Sequence, residues 1–276
     1  MYPSGSQSTP LARSPAFLDA SLSLSALDEV RFGIRTARAH GLTASRLPDV
    51  LLFCQSNDVR LLIARSQGTD AATMRVAQET GLRLMDVLMY WMSDLRQIRS
   101  DEALSPHHVR PLDRGEAELV RQIALKAFHG YGGHYHADPR LDDRLCDQVY
   151  GDWAYRSCAG DSPDHVIVTE VDGRLAGFAT AKMVHGEGLS VLSGVDPAFR
   201  RRGVYRSLNI ARMQWFRSQG AARMWSPTLA ANVATQRTYV KAGLVHSHAC
   251  YTFHKWFDEE DRARFDRRVR GDPARS

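Results

Sequence analysis

Apolar positions along this chain change period several times, and the changes divide it into elements. Leu27 to Ala39 has a spacing that predicts a helix, followed by apolar runs at Val50–Phe53 and Leu61–Ile63. Ala71 to Glu79 predicts a helix stopped by Gly81, and Leu84 to Trp91 predicts a strand. Ser100 to Gly115 is polar and contains Pro106 and Pro111, which marks a linker leading into a faint strand near His108–Arg110. Ala117 to Phe128 returns to helical spacing, with Leu119, Ile123, Ala127 and Phe128 expected inward. A Gly- and His-rich segment, His129 to Arg140, precedes a second helix marked by Leu141, Leu145, Val149 and Trp153. Strands are expected at Val166–Val171 and Leu175–Val184, joined by a turn at Asp172-Gly173, and a Gly186–Gly188 turn leads into a third.

The most informative stretch is Val191 to Leu208. It opens with alternating apolar residues, as a half-buried strand does, and Pro197 ends that strand. Arg200, Arg201, Arg202 and Gly203 follow, and then Val204, Leu208, Ala211 and Trp215 open a helix. A strand, a basic glycine-containing turn and a helix N-terminus together make an anion site. The first-turn amides have no internal partner and carry the positive end of the helix dipole. An arginine-rich turn by itself also occurs on solvated surfaces, so the pattern that follows decides its weight. Arg223 to Ser226 reads as a short strand and Asn232 to Lys241 as a helix stopped by Gly243. A last strand alternates Ala249, Tyr251 and Phe253.

This order and spacing resemble the GNAT acetyltransferase superfamily. The acyl-CoA loop of that family reads Arg/Gln-x-x-Gly-x-Gly/Ala and corresponds to Arg200-Arg-Arg-Gly203-Val-Tyr205. Its later helix carries Asn, Tyr and Gly at the spacing of Asn232, Tyr239 and Gly243. Tyr205 departs from the pattern, standing where the family places a small residue. The resemblance implies an α+β (α/β) fold in which a mixed, mostly antiparallel sheet is flanked by helices. It also implies acetyl-CoA as cosubstrate, with no metal. Its pyrophosphate would lie on Arg200, Arg201, Arg202, Gly203, Val204, Tyr205 and Arg206, and its pantetheine arm along the strand ending at Val195. Gly194 suggests a bulge near the reactive centre. Asn232 would bond the cofactor arm, a role compatible with capping its own helix. Tyr239 would be the general acid, since a phenol titrating near pH ~10 keeps a proton for the leaving sulfur.

The proton acceptor for the attacking amine is open among Glu187, His134, His136 and a water chain. The loop between the first two helices of the resemblance faces the acceptor, which points to Tyr131, His134, Tyr135 and His136 as substrate contacts. His134-x-His136-x-Asp138 also looks like a metallohydrolase motif, but Pro139 occupies the place of a further ligand, so no metal is expected.

Composition adds limits. The 276 residues are 43% hydrophobic, enough for one large domain or two small ones, with no apolar run of membrane-spanning length. The opening segment is rich in Ser, Ala and Pro and lacks a signal-peptide pattern. Cys54, Cys146, Cys158 and Cys250 show neither metal nor disulfide spacing, so a reducing cytoplasm is expected. The formal charge of +5 is partly local to Arg262, Arg264, Arg267, Arg268 and Arg270. Those arginines read as a solvated helix end, and without interleaved aromatics they make nucleic acid an unlikely partner.

Displaced by 162 positions, Ala72, Thr73, Arg75, Gly81 and Leu82 match Ala234, Thr235, Arg237, Gly243 and Leu244, with Ala77 where Tyr239 would fall. The first part therefore reads as a degenerate half-GNAT unit that extends the same sheet. The expected division is a flexible lead over 1–25, an N-terminal α/β unit over 26–98 and a linker over 99–105. The acetyltransferase domain follows over 106–257, with a charged tail over 258–276. This arrangement is similar to that of TDP-fucosamine acetyltransferases and related enzymes of nucleotide-linked amino sugars, which implies such an acceptor and a place in polysaccharide biosynthesis. A peptide, amino-acid or aminoglycoside amine is the alternative, as is a non-catalytic acyl-CoA-binding regulator. A homodimer is left open.

Overall fold

The computed structural model describes residues 20–67, 71–97, 106–113, 115–160 and 165–258. Most of the expected lead, the linker and nearly all of the basic tail lie outside the described residues. The first element is a strand, β1 (Ser21–Leu24), so the last positions of the expected lead are structured. Helix α1 (Ala26–Phe32) is capped by Ser25, whose hydroxyl accepts from the Asp28 amide. It ends at Gly33, where φ of 65° stops the helix. The single helix expected over Leu27–Ala39 is therefore two elements, because Thr36–His40 beyond that glycine is strand β2. The apolar run at Val50–Phe53 belongs to helix α2 (Leu47–Ser56), followed by β3 (Leu61–Gln67), α3 (Ala71–Glu79) and β4 (Arg83–Asp94).

The second part begins with the short strand β5 (Val109–Pro111) and helices α4 (Ala117–Ala127) and α5 (Asp143–Ala159). In α4 the buried residues are Val120, Ile123 and Ala124, while Leu119 is 53% exposed. The inward face is thus one position later than the spacing suggested at its start. Leu141 is buried just before α5, whereas Leu145 lies at its surface. The antiparallel strands β6 (His165–Val171), β7 (Arg174–Val184) and β8 (Glu187–Val195) come next, then a single 3-10 turn at Pro197–Phe199. Helix α6 (Val204–Ser218), β9 (Arg223–Leu229), α7 (Val233–Lys241) and β10 (Val245–Trp256) complete the order.

Among the described residues, all ten strands form one sheet in the order β1-β2-β3-β10-β4-β9-β8-β7-β6-β5. Helices α2 and α3 bury Leu47, Val50 and Ala77 against one face, beside Leu62 and Phe253 of the sheet. α6 and α7 pack on the same side around Met213, Phe216, Met224 and Tyr239. α4 and α5 cover the opposite face, with Ile123 and Ala154 on Phe178 and with Cys146 and Val149 on Leu61 and Ile63.

The displacement by 162 seen in the sequence extends to the element bounds: β3, α3 and β4 run from Leu61 to Asp94, and β9, α7 and β10 from Arg223 to Trp256. It extends to the pairing as well. β4 pairs β9 with Asp94 opposite Arg223, and β10 pairs β3 with Trp256 opposite Leu61. At the centre, Leu88 stands opposite Cys250, its own counterpart under the displacement. Each set thus sends its last strand across into the other, β10 entering between β3 and β4, and β4 between β10 and β9.

Candidate active site

Between β8 and β9 the sheet forks. These parallel strands pair only at Gly188–Met224 and Leu189–Trp225, and Ser226 donates its hydroxyl proton to Ser190 Oγ at 2.7 Å where they part. Beyond that point Val191 to Val195 has no strand neighbour on the β9 side, which leaves an open edge of amides and carbonyls. A bulge does lie here, but at residues 191–192 and not at the expected Gly194. The register with β7 shifts between Ala179–Ser193 and Ala181–Ser190, and the Leu192 amide donates to Thr180 Oγ1 at 2.9 Å. Gly194 pairs in register with Phe178, and a Cβ there would stand 2.7 Å from that ring, so contact with the ring explains the glycine.

At the outer end of the fork, Gly203 is the N-cap of α6 with φ of 84° and supplies no capping side chain, and no acidic residue occupies the first turn. The first amides of α6 therefore point at an uncapped, positive terminus. Arg201, at φ of 63°, helps turn the loop, and Arg200 donates to the Ala127 carbonyl at 3.2 Å. Arg200, Arg201, Gly203, Val204, Tyr205 and Arg206 line a cleft of about 1480 Å³ with Val195 and Asn232. Arg202 is outside this set, tied to Asp172 at 2.9 Å. Asn232 accepts from the Thr235 amide at 3.3 Å, capping its own helix, and also lines the cleft.

A second chamber of about 430 Å³ meets the cleft at Tyr131, Ser193, Tyr205 and Asn232. Tyr239 is 3% exposed and forms part of its wall. Its hydroxyl receives a hydrogen bond from Tyr205 at 3.1 Å and lies beside Ser226. Burial pushes the Tyr239 phenol well above its ordinary value, and the neighbouring Tyr205 adds to the rise. Arg212, buried below, partly offsets this and bonds Ser193 Oγ and Asn209 Oδ1, each at 2.7 Å. Tyr205 and Tyr239 pack with the α6–α7 side, while Tyr131 belongs to the loop on the α4–α5 side. The fork is therefore a passage through the sheet.

The loop His129–Arg140 divides in its contacts. Tyr131 lines both cavities and is raised by burial, with Asn232 and Thr228 at its hydroxyl. Tyr135 lines the chamber, but its hydroxyl is held by Asp28, at 2.8 Å, and by Arg38. Burial pushes its phenol up to about 12. His136 lies outside both cavities and pairs with Asp147 at 3.1 Å, so the structure does not bring it to the other expected substrate contacts.

His134 is buried at the chamber and begins a chain: its Nδ1 meets His254 Nε2 at 2.9 Å, and His254 Nδ1 meets Asp138 Oδ2 at 2.7 Å. The carboxylate accepts, so His254 donates from Nδ1, and in its neutral form it accepts at Nε2. His134 then donates from Nδ1 and keeps its lone pair on Nε2. Burial, with the Arg65 guanidinium nearby, holds His134 well below its ordinary value, so the ring stays neutral. His134 and Asp138 thus converge on a third side chain. Among the described residues no cluster of His, Cys, Asp and Glu is placed to hold a metal. Glu187, another candidate proton acceptor, is bound to Trp225 Nε1 at 2.7 Å and to Arg223, and lines neither cavity.

The far wall of the chamber comes from the first part of the chain, for which loss of the tyrosine suggested a scaffolding or acceptor-binding role. Arg65 of β3, Asp86 and Tyr90 of β4 and Arg31 of α1 all reach it, with Arg156 from α5. Asp86 alternates with Leu88 and Tyr90 along β4, and a carboxylate at an inward strand position was the signal available for it.

Residues 121–244 match the model of the acetyltransferase (GNAT) family. Among solved structures, a GCN5-related N-acetyltransferase from Sphaerobacter thermophilus is similar at 14% identity and a TM-score of 0.60, over 86% of this chain and 76% of that one. A GCN5-related N-acetyltransferase from Kribbella flavida is similar at 16% identity and a TM-score of 0.60, over 86% and 87%. A tandem GNAT protein from the clavulanic acid biosynthesis pathway is similar at 12% identity and a TM-score of 0.59, over 86% and 78%. No curated protein matches the chain. The fold is the GNAT fold.

Proposed function

We propose that this chain, a GNAT fold whose residues 121–244 carry the family's pattern, transfers the acetyl group of acetyl-CoA to a primary amine by direct attack, with Tyr239 as general acid. The observation that carries the reading is the Tyr239 hydroxyl, buried at the fork where the large cleft meets the second chamber. The cleft suits acetyl-CoA. The uncapped α6 terminus with Arg200, Arg201 and Arg206 would hold the pyrophosphate, and the open edge from Val191 to Val195 would bond the pantetheine amides. Free amides at that edge would polarise the thioester carbonyl.

In the reaction, the amine nitrogen forms a bond to the carbonyl carbon, the carbon–sulfur bond breaks, and one proton passes overall from nitrogen to sulfur. Tyr239 would supply the proton to sulfur. The Nε2 lone pair of His134, backed by His254 and Asp138, would take the one from nitrogen. The favoured acceptor is a nucleotide-linked amino sugar, supported by the size of the chamber and its arginines. We further propose that the first half is a degenerate copy of residues 187–256 that has lost the acid. Ala77 stands at the position of Tyr239 and is sealed in the core. The test is thiol release from acetyl-CoA against a panel of amines, including nucleotide amino sugars. A folded protein that binds acetyl-CoA and releases no thiol with any amine would reject enzymatic transfer in favour of a non-catalytic acyl-CoA-binding role.

A further inference from the structure

Three neighbouring strands place an unusual row of side chains under the chamber. Arg65 of β3 is opposite Thr252 of β10, which is opposite Asp86 of β4. Each holds a buried polar atom without a hydrogen-bond partner among the described residues: Arg65 Nε, Thr252 Oγ1 and Asp86 Oδ1. Buried polar groups are nearly always satisfied, so a run of three in one register row indicates a missing partner. Asp86 is 9% exposed, and its other oxygen, Oδ2, accepts from the His134 backbone amide at 2.8 Å, which fixes the carboxylate at the chamber wall. Arg156 of α5 lines the same chamber and, among the described residues, also has a buried Nε without a partner, as does Arg31.

The charges around the chamber do not balance internally. Arg38 is paired with Asp28 at 2.6 Å and Arg31 with Asp152 at 3.3 Å. Among the described residues neither Arg65 nor Arg156 has a carboxylate within ion-pair distance, and Asp86 has no cation. The chamber lining therefore offers unpaired guanidinium groups from β3 and α5 and an unpaired carboxylate from β4. Adjacent strands lie about 4.8 Å apart, so Arg65 and Asp86, two strands apart, are separated by on the order of 10 Å at the backbone. A single small molecule spans that distance between two side chains reaching inward.

We propose that the acceptor carries an anionic group as well as its amine: Asp86 accepts a hydrogen bond from the amino group beside His134, and Arg65 with Arg156 binds a phosphate or carboxylate of the same molecule. This rests on the acetyl-transfer reading for the identity of the chamber as the acceptor site. It adds that Asp86 and Arg65 of the first half take part in recognising the acceptor. Guanidinium donors suit either anion, since both accept paired N–H bonds. A neutral amine leaves both arginines unmatched, and the loss of a charge-assisted pair is felt as affinity.

The test is calorimetric titration of the full chain, its large cleft saturated with CoA, with glucosamine, glucosamine 1-phosphate and muramic acid. All three share one amine, and the last two add a phosphate or a carboxylate. The expected result is binding about tenfold or more tighter for at least one anionic sugar than for glucosamine, with the better of the two identifying the anion. In the folded Arg65→Gln/Arg156→Gln variant that preference should collapse. Equal affinities for all three, no measurable binding of any, or a preference that survives the double substitution would overturn the proposal. Thiol release from acetyl-CoA, followed in parallel, separates the two readings. Charge-selective binding without thiol release from these sugars or any other amine of the panel keeps this assignment and rejects acetyl transfer, whereas thiol release without charge preference does the reverse.

Discussion

The hydroxyls of Tyr205 and Tyr239 stand 3.1 Å apart, and both side chains lie in the wall of the chamber at the fork. Tyr205 occupies the loop position where the GNAT pattern has a small residue, so this chain adds a second phenol to the one that the pattern carries. Tyr239→Phe keeps the ring and its packing on Trp91 and removes only the transferable proton. Turnover should fall by ~10²–10⁴-fold with acetyl-CoA affinity and melting temperature nearly unchanged. An acetyl donor with a p-nitrothiophenol-type leaving group should partly restore the rate, because its thiolate departs unaided. Since burial holds Tyr239 well above its ordinary value, no alkaline loss of kcat from this group should appear below pH ~10. Parent turnover by the Phe variant on acetyl-CoA would exclude Tyr239 as the acid.

Tyr205→Phe removes one hydrogen bond to the acid and leaves the acid in place. The expected loss in kcat is about tenfold, well short of that for Tyr239→Phe, and the double variant should be no worse than Tyr239→Phe alone. Additive losses would show that Tyr205 acts separately, and a steady-state double-mutant cycle reads the difference.

Gly203 holds φ of 84°, and a Cβ there would come within 3.1 Å of Pro106. Gly203→Val should therefore distort the turn into α6 at a cost of about 1–2 kcal/mol and raise the CoA dissociation constant tenfold or more. Calorimetry with CoA checks this, and unchanged affinity in a folded variant would remove the loop from the pyrophosphate site.

His134 and His136 are two residues apart in sequence and differ in their surroundings. His134→Ala breaks the chain to His254 and Asp138 and should lower kcat on the amine by about 10². His136→Ala releases only the pair with Asp147 and should leave kcat and the acceptor KM near the parent values. A large rise in the acceptor KM for His136→Ala would put that side chain back at the acceptor.

Acid should weaken the fold before the carboxylates titrate. Burial lowers His134, His165 and His248 below the ordinary value, and His40 to about 4. Below about pH 6.5 the unfolded chain takes up protons that the folded chain refuses, so stability present above that pH is lost as pH falls. The melting temperature should drop between about pH 6.5 and 4.5, and His134→Gln should flatten the slope. A melting temperature constant over that window would contradict the buried, neutral histidines.

Legibility in the sequence followed how local each signal was. The strand, basic turn and helix from Val191 to Leu208 could be read because Pro197, Gly203 and the apolar spacing all act within a few residues. The single helix expected over Leu27–Ala39 failed at Gly33, since Ile34, Ala37 and Ala39 fit a helical face and a strand equally well. Leu119 shows the same weakness at the scale of one residue, being apolar yet half-exposed at the start of α4. Asp86 carried only the sign of a carboxylate at an inward strand position, and nothing local joined it to Arg65: they meet the same chamber because β10 is inserted between β3 and β4. The Asp138–His254–His134 chain likewise joins residues more than a hundred positions apart.

The crossed insertion of β4 and β10 also bears on how the protein is made. β3 gains its neighbour on that side only from residues 250–256, and β4 lies beside the same strand. A chain emerging from the ribosome N-terminus first therefore holds β3 and β4 with unpaired edges until nearly every described residue has been synthesised. Long-range pairing of this kind is slow and leaves strand edges open to wrong partners. The first half cannot settle into its native sheet as an independent co-translational unit, and a ribosome-bound chain stopped after β9 should remain sensitive to protease throughout.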